Sequence, residues 1–499
     1  MEFVPRIVPA EQTILYQAML SRDSRFDGRF FAAVLTTGIY CRPICPATKP
    51  KFENVVFYPS AAGAEIAGFR PCKRCRPDTA PGTPIWSGTS AVVSQALQRI
   101  EEGFLDGGDV GELGDCLGVG ERQLRRLFQE HLGASPHAVA LTRRLDFARK
   151  LIDETTMSMT DIAFASGFES IRRFNDAVKK RFDHSPSQLR GHSRTPQLAG
   201  VLKNCLSLLL PFRPPLHWVA LLNYLKGREI AGVEVVDIIN NRYCRSIRLG
   251  DGQGIFVVTR AKKENHLELT LQIENTGGLM DMVRRVSRIF DLGADPFFVM
   301  QHLSKDPGLL GIISSDPGLR VPGGWDNFEI AIRTILGQQI SIAGANTVTA
   351  RLVRHCGTEA AASFVPGITH HFPTPQALAS QTVGELAKIG MPGKRAETLI
   401  QLAEKVASKK IQLEGIIDAD AVKRGLLAIP GIGAWTVEYI AMRALREPDA
   451  FPASDLGLKR ELLAMAATES EGERLNRPDV WRPWRSYAAM YLWKNYAAK

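Results

Sequence analysis

Four cysteines set the tightest limit on how this 499-residue chain can fold. Three residues separate Cys41 from Cys45, two separate Cys72 from Cys75, and 26 lie between the pairs. Two close pairs of soft sulfur ligands across a loop suit tetrahedral Zn²⁺, and a small zinc-bound domain is expected around them. The N-terminus, Met1-Glu-Phe-Val-Pro-Arg, lacks the charged segment and apolar core of a secretory signal. The expectation is therefore a cytoplasmic, nucleoid-associated protein, a setting in which disulfides are rare. Cys116, Cys205, Cys244 and Cys356 are scattered singly and read as small buried hydrophobes.

Charge narrows the partners. The formal net charge is +10, which favours a polyanion. Around the cysteines the imbalance is local: Arg42, Lys49, Lys51, Arg70, Lys73, Arg74 and Arg76 face only Glu53 and Glu65. Such a rim is suited to phosphates, although a solvated charged face would have the same composition. The most apolar stretch, residues 206–225, is broken by Pro211, Arg213, Pro214, Pro215 and His217, so no membrane partner is expected.

The motifs Phe30-Phe-Ala-Ala-Val-Leu-Thr-Thr-Gly-Ile-Tyr-Cys-Arg-Pro-Ile-Cys-Pro and Gly68-Phe-Arg-Pro-Cys-Lys-Arg-Cys-Arg-Pro-Asp resemble the zinc domain of Ada, a family of methylation sensors. The resemblance covers residues 1–80. It implies that Cys41, Cys45, Cys72 and Cys75 hold zinc. It also implies that Cys41 is a nucleophile taking a methyl group from a DNA methylphosphotriester. The chemistry is sound: zinc keeps sulfur as thiolate, the nucleophilic form. Methylation then lowers the negative charge of the site and eases its approach to flanking phosphates. A purely structural zinc site is the competing reading.

A Pro/Gly/Thr/Ser-rich linker follows, and residues 88–192 turn helical. Two segments, one from Val110 and one from Met159, each pattern as an amphipathic helix, a glycine turn and a basic helix. The second helices begin near Glu121 and Ser170 and carry Arg122, Arg125, Arg126, Arg172 and Arg173, placed for phosphates or guanine edges. With the closing His184-Ser-Pro-Ser-Gln-Leu-Arg, this part resembles the AraC family of transcription regulators. That implies a double helix-turn-helix reading successive major grooves. A plain helical domain with exposed arginines is the alternative.

Residues 205–285 alternate and are β-branched in the runs starting at 232, 243, 254 and 267, as strands of an antiparallel sheet do. Helical periodicity returns over 286–499. There Leu427-Ala-Ile-Pro-Gly-Ile-Gly-Ala-Trp-Thr-Val-Glu-Tyr places a tight turn, Pro430-Gly431-Ile432-Gly433, between two helices. Its backbone can approach a phosphate, with the next helix presenting free N–H groups. Asp455 lies 22 residues past Gly433.

Hairpin and downstream aspartate resemble the helix-hairpin-helix DNA glycosylases, and most closely the AlkA-type alkylpurine enzymes. Phe290-Asp-Leu-Gly-Ala-Asp-Pro, Pro317-Gly-Leu-Arg-Val-Pro-Gly, Ile335-Leu-Gly-Gln-Gln-Ile-Ser and Trp484-Arg-Ser-Tyr-Ala extend the likeness over about 205–499. The resemblance implies that Asp455 stabilises an oxocarbenium-like sugar, and that Trp435, Tyr439 and Trp493 hold an extruded, electron-poor base. The competing reading makes Asp455 a loop or cap residue and the aromatics core packing. Strand-nicking members carry a lysine where this chain has Trp435, so a monofunctional enzyme is expected. Gln339 stands where relatives place an apolar wedge. No Pro-Cys-His-Arg motif of a second methyltransferase domain occurs.

The expected architecture is multidomain α+β: a zinc-bound α/β domain, a helical double helix-turn-helix, an antiparallel sheet domain and an all-α helix-hairpin-helix domain. The expected function is DNA alkylation repair joined to transcription regulation on double-stranded DNA. The alternative is a methylation-responsive activator with a weak or inactive glycosylase half.

Overall fold

The computed structural model describes residues 30–43, 47–72, 91–101, 108–191, 205–249, 252–360, 365–414, 419–465 and 477–497, with short pieces between them. The chain divides into two compact units. One holds residues 1–201 and 276–284, and the other residues 202–275 and 285–499.

In the first unit, β1 (Phe31–Val34), β2 (Ile39–Cys41), β3 (Val55–Tyr58) and β4 (Arg70–Pro71) form one sheet in the order β3-β1-β2-β4. Helix α1 (Ala61–Ile66) is capped by the Ser60 hydroxyl, which accepts from Gly63 N–H. The parallel β2–β4 pairing sets Tyr40 against Pro71. Each strand carries one cysteine of the cluster at or just past its end, so pairing the strands brings the two sequence-distant pairs together.

Among the described residues seven helices follow: α2 (Ala91–Glu101), α3 (Val110–Cys116), α4 (Glu121–Leu132), α5 (Pro136–Glu154), α6 (Met159–Ala165), α7 (Ile171–Phe182) and α8 (Pro186–Gly191). The helix-turn-helix pairs are α3–α4 and α6–α7. Asp109 and Glu112 close a capping box at α3, and Ser170 caps α7. The turns pass through Gly118 and Gly167, both at positive φ, where a side chain would be strained. Leu124, Phe128, Phe174 and Val178 are buried, which aims the opposite faces of α4 and α7 outward. Cys244 is buried as expected, but Cys116 is exposed at the end of α3, and Cys205 and Cys356 are intermediate. The expectation of burial fails for Cys116 because only Val110, Leu113 and Gly114 of that short helix face the core.

The Arg181 guanidinium of α7 ties the helices to the sheet. It donates to Glu65 Oε1 of α1 at 2.6 Å and pairs with Asp146 of α5 at 2.6 Å. It also donates to the Thr142 carbonyl at 3.0 Å and to the Tyr40 hydroxyl at 3.3 Å. Tyr40 in turn donates to Glu65 at 2.6 Å, and burial pushes its phenol well above the usual range, so it stays a donor. With its side chain only 4% exposed, Arg181 cannot be cut back without leaving carboxylates unpaired. Arg181→Ala is expected to destabilise this unit by about 3 kcal/mol, read as a lower denaturant midpoint.

The second unit begins with a five-stranded antiparallel sheet, β5 (Leu206–Pro211), β6 (Glu234–Asp237), β7 (Arg242–Leu249), β8 (Gly252–Arg260) and β9 (His266–Ile273), in the order β5-β9-β8-β7-β6. Helix α9 (Trp218–Lys226) lies between β5 and β6 in sequence. Four strands match the alternating runs of the sequence. The fifth, β5, is the apolar stretch before the Pro214-Pro215 break.

The helical part is built on α10 (Asn327–Leu336), a nearly all-buried helix capped by Asp326, and α11 (Ile342–Cys356). Helices α12 (Gly393–Ala407), α13 (Ala419–Leu427), α14 (Ala434–Arg443), α15 (Leu456–Met465) and α16 (Arg485–Ala497) complete the frame of the site. Ile330, Leu336, Leu399, Leu426, Ile440 and Leu458 belong to one continuous apolar core. No helix among the described residues is long and apolar enough to cross a membrane.

Candidate nucleic-acid and metal sites

The hairpin between α13 and α14 is held from behind. Thr398 Oγ1 of α12 donates to the Pro430 carbonyl at 2.8 Å, and Gln338 Nε2 donates to the Gly431 carbonyl at 3.0 Å and to Thr436 Oγ1 at 2.9 Å. Arg395 Nη2 donates to the Gln338 carbonyl at 2.6 Å. With its carbonyls engaged inward, the turn has N–H groups of Gly431 and Gly433 that meet no acceptor among the described residues. Gly433 sits at the start of α14 without a side-chain cap, leaving that helix end open to an anion. Pro430, Gly431 and Gly433 are exposed, whereas Ile432 is 5% exposed and seats the turn in the core. What Ile432 offers outward is therefore backbone.

Gly431 has no substitute here. Its φ is +92°, and an added Cβ would lie 2.4 Å from Thr398 Oγ1. Gly431→Ala is expected to distort the turn at a cost of about 1–3 kcal/mol and to weaken binding to an abasic duplex about tenfold, read by fluorescence anisotropy.

Asp455 stands at the start of α15. Its Oδ1 accepts from the Leu458 N–H at 3.0 Å and from Trp493 Nε1 at 2.9 Å, and its Oδ2 accepts from Trp435 Nε1 at 3.1 Å. The carboxylate is thus both a helix cap and the centre of an indole clamp. Tyr439 lies one helical turn from Trp435 on α14 and stacks on it, with centroids 5.3 Å apart at 24°. Trp493 of α16 tilts against Tyr439 at 5.8 Å. All four side chains are half-buried, and the contacts gather the three rings around the carboxylate. An added Cβ at Gly457 would lie 3.2 Å from Asp455 Oδ1, so its lack of a side chain keeps room beside the carboxylate.

Sequence reasoning missed what lies behind the rings. Arg443 Nη1 donates to the Tyr439 hydroxyl at 2.9 Å and to the Tyr224 hydroxyl of α9. Arg228 lies with its guanidinium 3.9 Å from the Tyr224 ring centroid. The sheet domain therefore supplies part of the pocket's foundation. Thr398, which belongs to no motif, was also missed, and Gln338, though it lies within Ile335-Leu-Gly-Gln-Gln-Ile-Ser, was given no role there. Gln339 lies at the tip of the turn between α10 and α11, with φ +57° and an exposed side chain, beside the exposed Ile340 and Ile342.

In the first unit the sulfurs of Cys41, Cys45, Cys72 and Cys75 all lie within 4.8 Å of one another, and Cys45 and Cys72 are 3.9 Å apart. Tetrahedral zinc–thiolate bonds of about 2.3 Å require sulfurs about 3.8 Å apart, so the donor set fits Zn²⁺. The Arg42 N–H donates to Cys75 Sγ at 3.3 Å, which favours the thiolate. Cys72 and Cys75 are buried and Cys41 and Cys45 intermediate, and Cys41, Cys45 and Cys72 border a cleft of about 840 Å³ together with Thr37, Arg70 and Arg74. Of the basic rim, Arg70 pairs with Asp183 at 2.8 Å, Arg42 Nη1 donates to the Cys75 carbonyl, and Lys49, Lys51 and Arg74 are exposed. Lys73 and Arg76 lie outside the described residues.

Arg122, Arg125 and Arg126 of α4 and Arg172 and Arg173 of α7 are all exposed. Arg125 pairs with Glu121 at 2.6 Å and Arg173 with Glu169 at 3.5 Å, both as surface pairs one helical turn apart. Such pairs are weak enough to exchange for phosphate.

Four family models match in succession. They are the metal binding domain of Ada over residues 14–78, a helix-turn-helix domain over 113–192, the AlkA N-terminal domain over 207–326 and the HhH-GPD superfamily of base excision DNA repair proteins over 332–486. A Mycobacterium tuberculosis protein named "Probable bifunctional transcriptional activator/DNA repair enzyme AlkA" is 40% identical over 479 residues, covering 96% of this chain and 95% of that protein. The DNA-3-methyladenine glycosylase 2 of Escherichia coli is 34% identical, covering 57% of this chain and 95% of its own length. The E. coli bifunctional transcriptional activator/DNA repair enzyme Ada is 32% identical over 35% of this chain and 49% of its own.

Proposed function

The chain belongs to the family of bifunctional transcriptional activator/DNA repair enzymes of the AlkA type, and on that premise we propose that it is a monofunctional DNA glycosylase for alkylated purines joined to a DNA-binding methyl acceptor. The observation that carries the enzymatic half is the Asp455 carboxylate, gripped by two indole N–H groups and ringed by three aromatic faces.

A purine alkylated at N3 or N7 carries a positive charge, and its glycosidic bond is correspondingly weak. The Gly431–Gly433 turn and the start of α14 hold the backbone near the lesion. The nucleotide turns out of the stack, with Gln339 entering the gap. Its base lies against Trp435, Tyr439 and Trp493, with cation–π contact worth about 0.5–2 kcal/mol. Asp455 faces the sugar. As the bond breaks, positive charge develops at the anomeric carbon, and a carboxylate fixed in advance stabilises it without reorganising. Water completes the sugar, and the base leaves with the bonding electrons.

Trp435 occupies the position where a nicking enzyme needs an amine, so the expected product is an intact abasic strand. Treated duplex should remain uncut until alkali is added. Cutting without alkali, retained in a heat-stable covalent adduct on borohydride reduction, would sink the monofunctional reading.

In the first unit, Cys41 attacks the methyl carbon of a methylphosphotriester. An S–C bond forms, the C–O bond breaks, and the phosphate regains its negative charge. Cys41, Cys45, Cys72 and Cys75 would hold Zn²⁺, which would keep their sulfurs deprotonated at neutral pH. Arg122, Arg125, Arg126, Arg172 and Arg173 hold the duplex, and the loss of one negative charge at the cysteines strengthens that hold. Mass spectrometry of protein exposed to methylated DNA should find a single methyl group on the Cys41 peptide. A methyl group on another cysteine instead would reject this assignment.

A further inference from the structure

The phenol oxygen of Tyr439 lies among donors. Arg443 Nη1 reaches it at 2.9 Å and also donates to Tyr224. The same Arg443 nitrogen thus joins the Tyr439 and Tyr224 hydroxyls, and the Arg228 guanidinium lies 3.9 Å from the Tyr224 ring centroid. Arg443 is fixed in turn by the carbonyls of Pro322 and Gly323. The other charged groups near this foundation are Glu234 and Arg333, which line a small cavity with Arg228 and Arg443. Among the described residues the Tyr439 ring meets the Trp435 and Trp493 rings, whose indoles both donate to Asp455, and the Arg443 guanidinium 5.7 Å from its centroid.

We propose that this donor nest makes Tyr439 a sensor of base charge: a cationic alkylpurine stacks on the ring as the phenol gives its proton to solvent, whereas a neutral purine stacks with the proton retained. The proposal rests on the base-pocket reading above. The O–H bond breaks, its electron pair stays on the ring oxygen, and the proton passes to water. The ring then carries negative charge facing the base and donors facing away from it. Burial opposes this ionisation, but Arg443 and Arg228 more than offset it and hold the phenol down at about 8. Burial keeps Tyr224 protonated, its phenol raised, so it remains a donor. By linkage, whatever favours the phenolate favours the cationic base, and by the same factor. Discrimination is thus built behind the ring, by residues that never touch the base.

The test compares the full chain's single-turnover release of 3-methyladenine from methylated duplex with its release of hypoxanthine from an inosine-containing duplex, across the range of the phenol's ionisation. For the wild type the ratio of the two rates is expected to rise about fivefold as pH climbs through about 8. Tyr439→Phe keeps the ring and loses the proton, so its ratio should stay flat. Arg228→Met should move the rise to higher pH. Near-ultraviolet difference absorbance of wild type against Tyr439→Phe supplies a readout independent of activity, and should show one phenol ionising early. A wild-type ratio that ignores pH, or a Tyr439→Phe ratio that still rises, overturns the proposal while leaving the pocket intact. If Tyr439→Phe alters neither rate at any pH, the base-pocket reading fails and takes the proposal with it.

Discussion

Asp455→Asn is expected to lower the single-turnover rate of alkylpurine release about a thousandfold while binding to abasic duplex is kept. Asparagine retains the shape and one oxygen for the Leu458 N–H cap, so the fold should survive. It brings an NH₂ group where the carboxylate accepts from Trp435 or Trp493, and the donor-to-donor clash turns one indole away. Above all it removes the negative charge facing the sugar. The hairpin, with its own supports at Thr398 and Gln338, is untouched. The expected pattern is therefore a collapse in the chemical step with little change in duplex affinity. Equal loss of both would mean that Asp455 is a structural cap and no more.

Cys41→Ser is expected to abolish methyl acceptance from methylphosphotriesters, with no residual slow phase. A hydroxyl in that position is a far weaker nucleophile than thiolate, and Cys72 and Cys75 are buried. Zinc should still bind, more weakly, through three sulfurs. Cys72→Ser provides the contrast, because it weakens zinc binding without removing the nucleophile. If Cys41→Ser still takes up radiolabelled methyl from DNA, the acceptor has been misassigned. Base release by the second unit should be unaffected in both variants.

The parts of the molecule legible in the sequence were those whose chemistry needs a fixed spacing. The cysteine pairs, the Pro430–Gly433 turn and the Asp455 position each follow from a local pattern. Four strands of the sheet follow from alternation. Strand β5 did not, because Leu206–Pro211 is apolar on both faces and reads as a run rather than an alternation. Nor did the two short strands Thr358–Glu359 and His370–His371, which pair across a loop within the helical region. Cys116 was misjudged because burial is decided by which face of a short helix meets the core.

The site shows the same division. Trp435, Tyr439 and Trp493 were expected together, and they meet around Asp455. Asp455 does cap a helix, and the oxygen that accepts from the Leu458 N–H accepts from the Trp493 indole as well. Tyr224 and Arg228 lie more than 200 residues before Tyr439 in the chain, so no local pattern could connect them. Arg443 is one helical turn beyond Tyr439 and could have been found from that spacing, but an arginine at a helix end reads by default as a surface residue.

The most direct measurement is chromatography of what the intact chain frees from a duplex methylated on its purines. If Asp455 and its aromatic ring form a working pocket, free 3-methyladenine accumulates in step with abasic sites. Methylated duplex that stays fully loaded with its damaged bases, despite tight binding by the protein, would contradict the account.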